Sequence, residues 1–124
     1  MKVLRIPVAG PVEIVDVHVD LAWLQAQVGG LIERIHVEAV LTDSGRREVD
    51  ATVWLNEEGK IIRLPINPRA TDFCALTIGG WIFDVICGDV VIVGPPGPEG
   101  EETPVQDAVI DIVRAWGWLE SEAA

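Results

Sequence analysis

Positive charge is scarce in this chain. Nine Lys and Arg stand against twenty Asp and Glu, a formal net charge of −11 over 124 residues. Phosphate contact needs basic surface, so a nucleic-acid duplex or an anionic membrane face is excluded as a partner. Long apolar runs are missing as well, and nothing approaches the roughly 20 residues of a membrane-spanning helix. The opening MKVLRIPVAGPVEIVDVHVD alternates apolar and charged residues, without a compact apolar stretch after Lys2. No secretory leader is expected, and the expected compartment is the cytoplasm. Cysteine is limited to Cys74 and Cys87, 13 positions apart and without CxxC spacing. Among apolar neighbours they read as buried, inert thiols. Tyrosine is absent, and the aromatic content rests on five Trp and two Phe.

What remains suits one globular domain over 1–124, with 49% hydrophobic and 23% charged residues. KVLRIPV (2–8) predicts a strand with Pro7 at an edge or end, and VEIVDVHVD (12–20) a second. Asp20 predicts an N-cap for LAWLQAQV, closed by Gly29-Gly30, with Leu21, Leu24 and Val28 on its apolar face. LIERIHVEAVL (31–41) alternates like a strand, followed by a polar turn over 42–50 around Ser44-Gly45. ATVWL (51–55) and KIIRLPI (60–66) predict a hairpin about NEEGK, with Gly59 at positive φ. Asn67 predicts the cap of a second helix of about ten residues, ending at Gly79-Gly80. A buried strand over 90–93 and an exposed Pro/Gly/Glu loop over 95–102 follow. A final amphipathic helix over 104–119 is opened by a Thr103 capping box and striped by Val105, Val109, Ile112, Trp116 and Leu119. The order β-β-α-β-β-β-α-β-α is that of an α+β fold with a small, mainly antiparallel sheet and about three helices.

Catalytic and metal chemistry has little to stand on. His18, His36, Cys74 and Cys87 lack zinc spacing, so no metal and no cofactor are expected. Ser44 and Ser121 lack a nucleophile elbow. A hydrolase would need Asp84 with Asp89, or a cysteine–histidine pair, brought together by the fold. In the last helix Trp116 and Trp118 are two apart and diverge by about 200°, so one is expected at the surface or at an interface.

One stretch stands out. From Gly59 to Thr71 the chain holds Lys60, Arg63 and Arg69 without an acid, while seven acids crowd 99–124 against Arg114 alone. In INPRAT, Asn67 is the cap, Pro68 is N1 and Arg69 falls at N2, where the helix dipole opposes a cation. Two arrangements answer this. Asp72 neutralises Arg69 at i,i+3, or Arg69 joins Asn67, Thr71, Arg63 and Lys60 around an anion.

LQAQVGGLIERI (24–35), LNEEGKIIRLPINPRAT (55–71) and ICGDVVIVG (86–94) resemble the domain of unknown function 3846 family. The matching residues are Leu24, Gln25, Val28, Gly29, Gly30, Ile32, Glu33, Asn56, Glu57, Gly59, Lys60, Leu64, Pro65, Asn67, Ala70, Thr71, Gly88 and Asp89. Pro68 and the Trp-bearing last helix lie outside that signature. The resemblance implies a setting in actinobacteria, their phages and mobile elements, and through it counter-defence or accessory roles, but no activity. Its polar matches Gln25, Glu33, Asn67 and Thr71 resemble a ligand site more than bare scaffold.

The expected function is therefore non-enzymatic. It is a phage-type binding protein, counter-defence in role, that sequesters a small anionic, nucleotide-derived ligand between subunits of a homo-oligomer, with a Trp stacking on the base. The alternative is an acidic interaction module that inhibits a host protein or mimics nucleic-acid charge, using the acids of 99–122 with Trp116 or Trp118.

Overall fold

The computed structural model describes residues 1–42, 45–78 and 84–119. Ser44, Gly79-Gly80, Ser121 and the acids Glu120 and Glu122 lie outside the described residues. Five strands form one antiparallel sheet: β1 (Lys2–Ile6), β2 (Glu13–Asp16), β3 (Ile32–Leu41), β4 (Arg47–Asn56) and β5 (Val90–Val93). Their spatial order is β2-β1-β5-β4-β3. Three helices accompany them: α1 (Leu21–Val28), α2 (Pro68–Cys74) and α3 (Asp107–Ala115), with a 3-10 turn over Ala75–Ile78 continuing α2. The fold is α+β, as the alternation predicts.

Strand periodicity divides the core in two. On one face of the sheet Leu4, Ile6, Val37, Val49, Ala51, Val53, Val90 and Ile92 pack with Phe73 of α2 and Val109, Ile112 and Val113 of α3. On the other, Val3, Val91 and Val93 pack with Leu24 of α1, flanked by Trp23 and Trp54. Alternate residues of one strand point to opposite faces, so β5 is buried on both sides along its whole length.

Local signals act as expected at α1. The Asp20 carboxylate accepts from the Trp23 N–H at 2.8 Å, and Gly29 ends the helix at φ 78. Leu24 and Val28 are buried, whereas Leu21, in the first turn, stays exposed. Pro7 follows the end of β1, where its missing N–H costs nothing.

Three elements differ from the sequence reading. β4 starts at Arg47, inside the expected polar turn, because Val49 extends the inward alternation of Ala51, Val53 and Leu55. The expected strand over 60–66 is a series of turns, reduced to a single bridge between Ile66 and Cys87. The edge of β4 that this strand would use is taken by β5, through Thr52–Val93 and Trp54–Val91. Ile62 instead donates to the Glu58 carbonyl and Leu64 to that of Gly59, and the positive φ falls on Arg63 (59°) and not on Gly59. The last helix is shorter than expected, with Gln106 as its N-cap and Trp116 as its C-cap. Thr103 bonds the Pro95 carbonyl and so ties down the loop instead of opening the helix.

Candidate functional site

The start of α2 gathers a buried polar cluster whose bonds close within the chain. Asn67 is fully buried. Its side-chain oxygen accepts from the Ala70 N–H at 3.0 Å. Its amide donates to the Ile6 and Gly88 carbonyls at 2.9 and 3.0 Å. The Asn67 backbone N–H reaches the Ile86 carbonyl at 2.7 Å. Thr71 donates its hydroxyl to the Asn67 carbonyl and accepts from the Ile86 N–H. One asparagine and one threonine thus lock α2 to the end of β1 and to the segment entering β5. Buried polar groups are tolerated on these terms, with their partners made.

Arg69 takes neither arrangement that the sequence allows. Its guanidinium donates to the backbone carbonyls of Pro7 and Gly10 at 2.7 and 2.8 Å. The cation at N2 is balanced by carbonyl dipoles of the β1–β2 loop, while Asp72 is exposed. Lys60 pairs with Asp84, and that ammonium holds the Asp84 carboxyl below its ordinary range. Arg63 is exposed in the turn. The backbone carbonyl of Gln25 accepts the Gly29 and Gly30 N–H groups at the close of α1.

The structure gathers Glu33 and Lys60 elsewhere, at a cavity of about 370 Å3 between the start of β3, the end of β4 and residues 84–87. Ile35, Leu55, Ile61 and Val85 supply apolar lining, and Glu33, Glu57, Lys60 and Asp84 the charge. Asn56 fixes this end of β4: its amide donates to the Val28 carbonyl and its oxygen accepts from the Glu58 N–H. Gly59 packs so closely that a Cβ would lie 3.0 Å from the Cys87 carbonyl oxygen. Beside the cavity the turn presents Ile61 and Ile62, with exposures of 79% and 52%, and Ile66 at 54%. Periodicity could not reveal these, since it places them in a strand with one buried face.

The remaining candidates separate. Asp89 accepts from the Val8 N–H and lines a different cavity from Asp84, so the two do not form an acid pair. Burial pushes the Cys74 thiol up from 9.0 to about 12, which disfavours a thiolate nucleophile. Both cysteines are free and buried. Trp116 is exposed and meets Trp118 edge-on with ring centroids 4.9 Å apart, and Trp118 packs against the core. A pair that sequence reading passed over joins two strands: His36 Nε2 lies 2.6 Å from the Asp50 carboxylate. Among the described residues no cluster of three or more metal-ligating side chains occurs, and no helix is long and apolar enough to cross a membrane.

Residues 1–116 match the family described as a domain of unknown function, DUF3846. The chain belongs to that family. No curated protein and no solved structure matches it. Many of the DUF3846 signature residues quoted above are joints of the scaffold. Asn56, Asn67 and Thr71 make buried bonds, Gly29 caps α1, and Asp89 holds the Val8 N–H. Gly88 sits at φ 88, where a Cβ would lie 2.8 Å from Leu64 Cδ1. Of the signature residues, Glu33, Asn56, Glu57, Gly59 and Lys60 line the cavity.

Proposed function

We propose that this DUF3846 chain acts by binding without turnover, and that it docks on a basic protein surface through the turn 57–66. The observation that carries the reading is the exposure of Ile61, Ile62 and Ile66 on a turn whose charges, Glu57 and Glu58 against Lys60 and Arg63, balance, so the preference for a basic partner comes from the whole chain. Burying an exposed aliphatic side chain contributes about 1.5–3 kcal/mol, so a few such anchors can carry an interface. The net charge of −11 would steer the chain toward a positive partner and away from acidic ones.

Sequestration of a small anionic, nucleotide-derived ligand, with the counter-defence role that the resemblance implies, stands second. It is favoured by one observation, a cavity of about 370 Å3 that holds Lys60, within the range of small-molecule sites. Asp84 already neutralises that lysine, and Glu33 and Glu57 stand in the same cavity, so an anion would meet net negative charge.

One experiment separates the readings. The tagged chain and its Ile61→Ser/Ile62→Ser variant are presented to host lysate, and calorimetry is run against cyclic and ADP-ribose-like nucleotides. The expected result is a basic protein retained by the wild type and lost from the variant, with thermal stability unchanged. Equal retention by both chains, or nucleotide binding abolished by Lys60→Ala, would overturn the docking proposal.

A further inference from the structure

β3 is an edge strand of ten residues, from Ile32 to Leu41, and it contains no proline. Among the described residues only β4 pairs with it. The Glu57 N–H donates to the Leu31 carbonyl at 2.8 Å, one step beyond the Ile32–Asn56 pair. In an antiparallel ladder the peptide groups of alternate residues point to alternate sides. The odd-numbered residues of β3 therefore turn their N–H and C=O groups toward β4. Those of Ile32, Arg34, His36, Glu38 and Val40 point out of the sheet. The Asp50 N–H of β4 agrees with this phase, since it turns away from β3 to the Gln106 side chain.

Among the described residues this edge is open, and an edge of this length is normally blunted by proline, a bulge, charged side chains or a covering segment. β3 carries Glu33 on its inward side near one end, and its outward side, Ile32, Arg34, His36, Glu38 and Val40, complements itself when reversed. We infer that two copies of this chain pair antiparallel through β3 about a two-fold axis at His36, joining two five-stranded sheets into one of ten strands. In that register Arg34 faces Glu38 of the second copy, and Glu38 faces its Arg34. Val40, about half exposed, comes opposite Ile32, and Leu31, also about half exposed, comes opposite Leu41. Ile35 meets Val37 on the side of the sheet that packs under α2 and α3, so the two cores run together. The two His36 rings meet at the axis, each held by its own Asp50 at 2.6 Å.

Other registers fit less well. An axis at Arg34 sets that cation opposite itself, and an axis at Glu38 does the same with an anion. Axes at Ile35 or Val37 place Arg34 against His36 or Val40. Opposite charges directly across a strand pair stabilise it and like charges oppose it, so the strand favours the His36 axis. Because the surface meets its own copy, each substitution acts twice.

Sedimentation equilibrium of the full chain tests this. The wild type is expected to be a dimer, and Arg34→Glu or Glu38→Arg alone to weaken association about tenfold or more through two new like-charge contacts. The double variant Arg34→Glu/Glu38→Arg restores both pairs and is expected to regain the dimer. Both side chains are exposed, and circular dichroism checks that each variant folds. A wild type that stays monomeric at about 0.1 mM overturns the inference. So does a dimer indifferent to both single substitutions, or a double variant that stays monomeric.

Discussion

Arg69 brings a cation to the first turn of α2, where the N–H groups of the helix disfavour it. The Pro7 and Gly10 carbonyls offset that cost and make the side chain a strap across the β1–β2 loop. Asn67 beside it holds Ile6 and Gly88 at once. Removing either leaves polar groups short of partners, but to different degrees. Arg69→Ala frees carbonyls that water can reach and is expected to cost about 1–2 kcal/mol. Asn67→Ala strands carbonyls and an N–H in a buried site, and is expected to cost about 3 kcal/mol or more. Urea unfolding checks the order. An Arg69→Ala protein as stable as the wild type would mean that the strap carries no stability. The capping role of Asn67 was legible from Asn-Pro at a helix start. Its distant bonds were not, because Ile6 and Gly88 lie 61 residues behind it and 21 ahead. Local pattern carries caps, while the destination of a side chain across the fold depends on register that pattern does not contain.

At the scale of the element, α2 is short, and most of it is buried: Ala70, Thr71, Phe73 and Cys74 are all inside. That burial raises the Cys74 thiol from 9.0 to about 12. The folded chain therefore keeps its proton over a range in which the unfolded chain has lost it. Stability from this group is complete below pH 9 and declines as pH rises from 9 toward 12, by at most about 4 kcal/mol. Chemical denaturation across that range is expected to show a steeper alkaline loss for the wild type than for Cys74→Ala, whose starting stability is lower because of the space it leaves. Parallel slopes in the two proteins would count against the buried thiol as the cause. The elements themselves were largely readable: α1 between Asp20 and Gly29, β3 from its alternation, β5 from its apolar run. The segment 60–66 was not, because a strand needs an edge to pair with, and β5 had taken the edge of β4.

For the molecule as a whole, twenty acids against nine bases set up self-repulsion in the folded state. The described ion pairs, such as Arg46–Glu48 and Arg114–Asp111, are at the surface and relieve little of it. Screening should therefore stabilise this protein. Raising salt from about 10 mM to about 0.5 M, which shortens the Debye length severalfold, is expected to raise the melting temperature. A fall instead would show that surface pairs outweigh the repulsion. Of the polar signature that reads as a ligand site, Asn67 and Thr71 are joints of the scaffold, whereas Glu33 lines the cavity. A residue type does not distinguish a bond made inside the chain from one offered outside it. The exposed isoleucines of the turn and the self-matching face of β3 became visible only once burial and peptide direction were known.

The strand order β2-β1-β5-β4-β3 also governs how the chain can be made. The central strand β5 is the last of the five to leave the ribosome, and both hairpins precede it. Until residue 93 has emerged, β1–β2 and β3–β4 have no strand between them, and Asn67 waits for Gly88. Synthesis thus yields two open hairpins that a late four-residue strand stitches together. The sheet closes only once residue 93 has emerged, after an interval in which both inner edges are bare and open to chaperones.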